Sequence, residues 1–316
     1  MWGGADAYCM SYLIDGGETR LVPARDLPET WRELATRIAT PPSVWAGLGS
    51  APVVMGVLNV TPDSFSDGGE HLDPARAIGA GRAMIAAGAG VLDIGAESTR
   101  PGALPVSPAI EQARILPVIA ALRTAGVPLS VDTRNAATMA AALDAGATIV
   151  NDVSALTHDP EAAALVATRG CPVVLMHMRG TPATMAEHAE YRDVAYEVVC
   201  ELAERVHMAE QAGVARANVL IDPGIGFAKM QRHNLELLRR LPLLLNLGCL
   251  ILVGVSRKAS VSDPEKNFNP AERLPGSLAA GMFALSHGAS MLRVHDVAAT
   301  VQAIRIWQTL RESQKG

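Results

Sequence analysis

The stretch "VVMGVLNVTPDSFSDGG", residues 53–69, decides how the chain is read. Its first half carries Val53, Val54, Met55, Val57, Leu58 and Val60 without strict alternation, the pattern of a strand buried on both faces. Its second half holds Asn59, Asp63, Ser64, Asp67 and a Gly pair, and almost nothing that fills a core. A plain connector needs only a turn. A buried strand feeding so polar a loop reads as one built to meet a ligand at its C-terminal end.

The same unit then recurs. Further apolar runs stand at 90–96, 127–132, 147–151, 172–178, 218–222, 249–255 and 290–295. Helical patterns follow the runs at roughly 74–88, 108–125, 135–145, 160–169, 191–213, 233–245, 270–287 and 296–312. Pro74, Pro108, Pro160 and Pro270 fall in first turns, and Gly88, Gly126, Gly146, Gly170, Gly213 and Gly288 at or near helix ends. Eight strand–helix units in about 260 residues match an α/β fold of the (β/α)8 TIM-barrel type. The competing architecture, an open doubly wound sheet, is expected to carry a Gly-rich dinucleotide turn after a strand. "GAGRAMIAAGAG" (79–90) instead lies within the first helix and just after it. Residues 53–316 are therefore assigned to the barrel domain. Residues 1–52 form an N-terminal extension, with a hairpin signal at Asp15-Gly16-Gly17 and a short amphipathic helix in "PETWRELATRIAT" (28–40). The extension is expected to pack on the barrel bottom and to carry no chemistry.

Composition narrows the function classes. The 316 residues are 49% hydrophobic but only 4% aromatic, as suits Ala-, Val-, Leu- and Ile-rich helices on a parallel sheet. A net charge of −5 with no basic stretch argues against a nucleic-acid surface. No apolar run approaches the roughly 18 residues that span a membrane. No signal-peptide pattern opens the chain, so the cytoplasm is the expected location. Cys9, Cys171, Cys200 and Cys249 are too dispersed for a metal site, and Cys171 and Cys249 read as buried thiols.

Active sites of this fold form where the strands end. Asn59 follows the first strand, Glu97-Ser98-Thr99-Arg100 the second, Asp132-Thr133-Arg134 the third and Asn151-Asp152 the fourth. His177 and Arg179 follow the fifth, Asp222 the sixth, Ser256-Arg257-Lys258 the seventh, and Arg293 with His295 the eighth. Taken singly, Asp132 or Asp152 reads as a helix cap and His177 as an ordinary buried histidine. Their convergence on one rim decides otherwise. Arg100, Lys258, Arg293 and His295 make a cationic pocket suited to phosphate or diphosphate. Asp132, Asn151 and Asp222 offer carboxylate and amide groups that read a flat nitrogen heterocycle edge-on.

"NVTPDSFSDGG", "DIGAESTRPG", "SVDT", "NDVSA", "IDPGIGFAK", "GVSRK" and "RVHDV", in this order, resemble the dihydropteroate synthase family of folate biosynthesis, over about residues 54 to 310. The resemblance implies a transferase. It joins 7,8-dihydropterin-6-ylmethyl diphosphate to p-aminobenzoate, giving 7,8-dihydropteroate and pyrophosphate. It implies pterin contacts at Asp132, Asn151, Asp222 and Lys258, and diphosphate partners at Arg100, Arg293 and His295, with Thr99 at the same site. It also implies p-aminobenzoate contacts at Phe227, Ser256 and Lys258, and an Mg2+ ligand at Asn59. Asp63 and Phe65 in one loop and Pro101 in the next match two loops that close over diphosphate, with Asp63 beside the developing cation. Asp63, Arg100 and Lys258 are the residues it makes catalytic. It implies a homodimer, formed through the later helices.

Three departures stand out. "ASVSDPEKNFNPAER" (259–273) is longer and more polar than the family's usual continuation, leaving the loop 259–270 atypical. "GFAKM" replaces the commoner "GFGK" followed by Thr, so Ala228 is expected to crowd its loop, and the N-terminal segment is longer than the family needs. Two other readings compete. A methyltetrahydrofolate–corrinoid methyltransferase has no use for a diphosphate cluster, whereas a catalytically weak pterin-binding paralogue is consistent with the altered 259–273 segment.

Overall fold

In the computed structural model, residues 10–15, 18–23, 29, 45–49, 52–61, 73–97, 106–261 and 268–312 are described. Strands β1 (Met10–Asp15) and β2 (Glu18–Pro23) pair antiparallel with Asp15 opposite Glu18, where the hairpin signal stands. Eight parallel strands then alternate with helices. They are β3 (Val53–Asn59), β4 (Val91–Gly95), β5 (Leu129–Asp132), β6 (Ile149–Asp152), β7 (Val173–Met176), β8 (Val219–Asp222), β9 (Leu250–Val253) and β10 (Met291–Val294). β10 pairs with both β9 and β3, so the sheet closes into a (β/α)8 TIM barrel.

The outer helices are α1 (Pro74–Ala86), α2 (Pro108–Leu122), α3 (Ala136–Ala145), α4 (Ala162–Arg169), α5 (Val194–Gln211), α6 (Gln231–Arg239), α7 (Leu274–Ser286) and α8 (Val297–Glu312). Two of the helical patterns are broken by 3-10 turns. The stretch read as a helix over 233–245 divides at Arg240, and Pro242 lies in a tighter 3-10 turn over Leu241–Leu247. A proline has no N–H to continue the α-helical ladder. Likewise Pro270 opens a 3-10 turn over Pro270–Arg273, and α7 begins only at Leu274. α1 lies close against α2 because Gly81 has no Cβ, and a Cβ there would stand 2.7 Å from Leu122 Cδ1.

The period of two along each strand sorts the barrel interior into layers. Met55, Val91, Ile149, Val174, Leu220, Leu252 and Met291 form a buried apolar layer near the strand starts. Two residues further along, five of these seven positions become Asp93, Asn151, Asp222, Gly254 and Arg293, Val57 and Met176 stay apolar, and Asp132 stands two after Ser130. The apolar layer is therefore a floor beneath a polar one.

Trp45 seals that floor from below. It is 2% exposed, packs into the same apolar layer, and donates from its indole Nε1 to Asn218 O, just before β8 (2.9 Å). Within the N-terminal extension, the segment read as a helix over 28–40 lies outside the described residues apart from Glu29. Truncating Trp45 to Ala removes a large buried aromatic and orphans the Asn218 carbonyl. The loss is expected to be about 3–5 kcal/mol of stability. Urea denaturation measures it, and rim ligand binding, far from the floor, is expected to survive at 25 °C.

Candidate active site

At the C-terminal end of the barrel, Arg293 on β10 reaches across the interior to strands β4 and β5. Its Nε donates to Asp93 Oδ2 (2.6 Å) and its Nη2 to Asp132 Oδ2 (2.6 Å). Asn151 on β6 donates from Nδ2 to the same Asp93 oxygen (2.9 Å). Asp93 is fully buried, and its Oδ1 has no hydrogen-bond partner among the described residues. Burial pushes the Asp132 carboxyl up to about 7; Arg293 opposes the rise and the neighbouring carboxylates Asp93, Glu111 and Asp152 add to it. Arg293 itself is held above its ordinary value, because Asp93 and Asp132 outweigh the cost of its burial.

On the opposite side, Asp222 ends β8 and accepts from the Gly224 amide (2.7 Å). Burial raises its carboxyl, while the charge of Lys258 pulls it back. Lys258 donates to Ile225 O and stands 4.8 Å over the Phe227 ring. Burial lowers the Lys258 amine to about 8, although Asp222 favours its charge. Between the two sides lie inward glycines. A Cβ at Gly254 would stand 3.8 Å from both Arg293 Cβ and Lys258 Nζ, and one at Gly95 3.2 Å from Asp132 Cβ. The glycines leave room where the charges gather, a slot for a flat ring with polar edges.

Ser256, Lys258, Arg293 and His295 share this rim. His295 donates its backbone N–H to Ser256 Oγ (3.1 Å) and sets its ring Nδ1 3.1 Å from the same oxygen. Arg257 diverges from Lys258 and pairs with Asp296 (Nη2 to Oδ1 2.6 Å), pinning the loop after β9 to the start of α8. In the atypical 259–270 loop, residues 262–267 lie outside the described residues. Its flanks are held by Arg273, which donates to Phe268 O (2.9 Å) and Arg257 O (3.1 Å). Asn59 sits at the end of β3 beside Gly95. Asp63, Phe65, Thr99, Arg100 and Pro101 lie outside the described residues.

Neither aspartate caps a helix. Asp152 closes the turn after β6, accepting from the Ser154 and Leu156 amides (2.7 and 2.9 Å), while the N-cap of α4 is Glu161. Asp132 caps nothing: the first turn of α3 takes its acceptors from Thr133 Oγ1 and Asp159 Oδ2. His177 belongs to a separate buried group behind the slot, with Glu201 Oε2 2.9 Å from Nε2 and Lys229 Nζ 2.8 Å from Nδ1. Asp93 and Lys229 are the residues the sequence did not single out. Asp93 stands in mid-strand within an apolar run, and its inward parity with Val91 was the available signal.

Fold and rim define a (β/α)8 barrel whose mouth gathers carboxylate, amide, ammonium and guanidinium groups. The sequence pattern of the family described as "Pterin binding enzyme" matches residues 55–295. The dihydropteroate synthase of Escherichia coli K12 is 45% identical over 258 residues, covering 81% of this chain and 91% of that protein. A structure of Xanthomonas albilineans dihydropteroate synthase with 4-aminobenzoic acid superposes with a TM-score of 0.78 at 47% identity, covering 83% of this chain and 93% of that one. A probable bifunctional folylpolyglutamate synthase/dihydropteroate synthase of Haloferax volcanii is 45% identical over 262 residues, which is 83% of this chain but only 31% of that protein's length. The chain belongs to the dihydropteroate synthase family of pterin-binding enzymes.

Two consequences concern stability. Burial and the Lys229 charge hold His177 down to about 4, against an ordinary 6.5, although Glu201 favours its protonation. Between those pH values the unfolded chain takes up a proton that the folded chain refuses. The stabilisation is present above 6.5 and lost as pH falls through 4, on the order of 3 kcal/mol at most. Melting measured from pH 7 to 4 is expected to fall less steeply in His177→Gln. Ala228 holds φ +48°, a left-handed conformation that disfavours any Cβ. Ala228→Gly is expected to gain roughly half a kcal/mol by melting, and the β-branched Ala228→Val to lose more than about 1 kcal/mol.

Proposed function

We propose that this chain condenses 7,8-dihydropterin-6-ylmethyl diphosphate with p-aminobenzoate, releasing pyrophosphate and forming 7,8-dihydropteroate. The observation that carries the reading is the buried set Asp93, Asp132, Asn151 and Asp222 with the half-buried Lys258 and Arg293 around a glycine-lined slot, on the scaffold of that family.

The carboxylates of Asp132 and Asp222, and the unpartnered Asp93 Oδ1, are acceptors for the amino and N–H edges of a pterin. Asn151 and Lys258 serve its acceptor atoms. The aniline nitrogen attacks the methylene carbon as the C–O bond breaks, the bonding pair leaves with pyrophosphate, and the nitrogen's extra proton passes to solvent. Arg293 and His295 stabilise the leaving anion from the rim. Ser256, Phe227 and Lys258 flank the second substrate. Asp63, Phe65, Thr99, Arg100 and Pro101 are proposed to complete the site from the loops after β3 and β4.

Mg2+ is part of this proposal. Among the described residues no cluster of three His, Cys, Asp or Glu side chains is placed to hold a metal alone. Asn59 offers one hard, neutral oxygen at the rim, which fits an ion that takes its remaining ligands from diphosphate and water. When bound, Mg2+ supplies charge neutralisation to the leaving group. Exposed Phe283 on α7 and Ile306 and Leu310 on α8 support a homodimer through these helices. Among the described residues, no helix is long and apolar enough to cross a membrane. A cytoplasmic location remains part of the proposed reading.

The decisive experiment is turnover of both purified substrates with Mg2+, read as pyrophosphate release; its absence sinks the reading. Asp132→Asn turns an acceptor into a donor and leaves Arg293 short of a counter-charge. Pterin affinity by calorimetry is then expected to fall tenfold or more, about 1–3 kcal/mol. p-Aminobenzoate is expected to bind only with pyrophosphate and Mg2+ present, and Asn59→Ala to weaken that dependence. Sedimentation velocity is expected to show a dimer that Leu310→Glu disperses.

A further inference from the structure

Behind the slot, the loop after β8 (residues 222–229) is wound around one of its own side chains. Gly224, Gly226 and Ala228 all hold positive φ (66°, 83° and 48°), alternating with ordinary residues. That alternation turns carbonyls inward, and Lys229 Nζ donates to Gly224 O (3.1 Å) and Phe227 O (3.0 Å). Its third partner is His177 Nδ1, at 2.8 Å. The ammonium thus occupies the centre of the loop as a bound cation would.

The arrangement continues outward. His177 accepts from Lys229 at Nδ1, so its proton sits on Nε2 and is donated to Glu201 Oε2 on α5 (2.9 Å). Arg179 holds Glu201 from the other side, donating from Nε to both carboxylate oxygens (3.0 and 3.2 Å), and lies 4.0 Å over the Tyr191 ring. Burial acts to raise Glu201, but the bonds from His177 and Arg179 outweigh it and bring it to about 2, so it stays an anion. The loop fits closely against this group. A Cβ at Gly224 would stand 2.0 Å from His177 O, so only glycine is tolerated. Asn234 on α6 pins the far side, accepting from the Gly226 amide (2.7 Å) and donating to Met230 O (2.9 Å).

What the loop presents is Phe227, half-buried and facing Lys258. A core lysine serving only to fill space would be better replaced by an apolar side chain, since burying an ammonium is costly. This ammonium is half-buried, and its backbone partners are the carbonyls of Phe227 and of the glycine that turns the loop. We infer that Lys229, seated on His177 and Glu201, is a positioning residue: it holds the 222–229 loop in the shape that sets Phe227 beside Lys258 for the second substrate. The inference rests on the proposed function, because p-aminobenzoate is the substrate it concerns.

Steady-state kinetics on the full-length protein, with each substrate varied in turn, test it. Lys229→Met keeps the length of the side chain and removes every donated bond. The expected result is a p-aminobenzoate KM at least tenfold higher, with the pterin diphosphate KM within twofold and kcat within threefold. Glu201→Gln keeps an acceptor for His177 without the charge, and is expected to raise the same KM about threefold. A p-aminobenzoate KM within twofold of the parent in both variants overturns the inference, as does an equal rise in both KM values, which marks general loosening. If Lys229→Met does not fold, Glu201→Gln decides by the same two outcomes. An unaltered protein that releases no pyrophosphate overturns the proposed function, and the inference falls with it; an active parent with insensitive variants overturns the inference alone.

Discussion

Arg293 lies between two buried carboxylates, Asp93 and Asp132, with 2.6 Å contacts to each. Ionised carboxylates that close together are tolerated away from water only with a cation between them. That cation arrives from the last strand of the chain, and the carboxylates from the second and third of the barrel. Closure between β10 and β3 is thus what completes the polar layer. A one-residue slip of β10 would turn Arg293 outward to the helices and strand both acids. The site and the barrel therefore share one requirement, the register that seats Arg293 opposite Met55.

The same parity explains why a hydrophobic barrel carries a polar mouth. Inward positions two residues apart change from Val91 to Asp93, Ile149 to Asn151, Leu220 to Asp222 and Met291 to Arg293. Trp45 and the apolar layer keep water out from below, which strengthens every charge interaction above them. Opposing perturbations result: burial raises Asp132 and lowers Lys258 and Lys229. Such groups are poised to respond to a charged, hydrogen-bonding ligand.

Three of the βα loops are anchored by different means. Arg257 ties the loop after β9 to Asp296, Arg134 ties the end of β5 to Glu97 after β4 (2.9 Å), and Lys229 ties the loop after β8 to itself. Loops built this way present side chains without relying on a core of their own. A rigid barrel with separately anchored loops suits chemistry in which a reactive carbon must meet its nucleophile before water.

Much of this was legible in the residues alone. Periodic apolar runs, first-turn prolines and terminal glycines identified eight strand–helix units, because burial on both faces of a strand and on one face of a helix leaves patterns within a few residues. Their positions at or just after the ends of the apolar runs placed Asp132, Asn151, Asp222, Lys258, Arg293 and His295 on one rim. Helix ends were less legible: the prolines at 242 and 270 mark where α-helix yields to 3-10 turns, and packing decided the boundary. Which partner each charge takes was not legible at all. Asp152 and Asp132 follow their strands in the same way, yet one closes a turn and the other faces Arg293, 161 positions away in the chain. His177 and Lys229 are 52 residues apart. Pairings at such separations are set by how the barrel closes, and closure is a property of the whole sheet that no local stretch encodes.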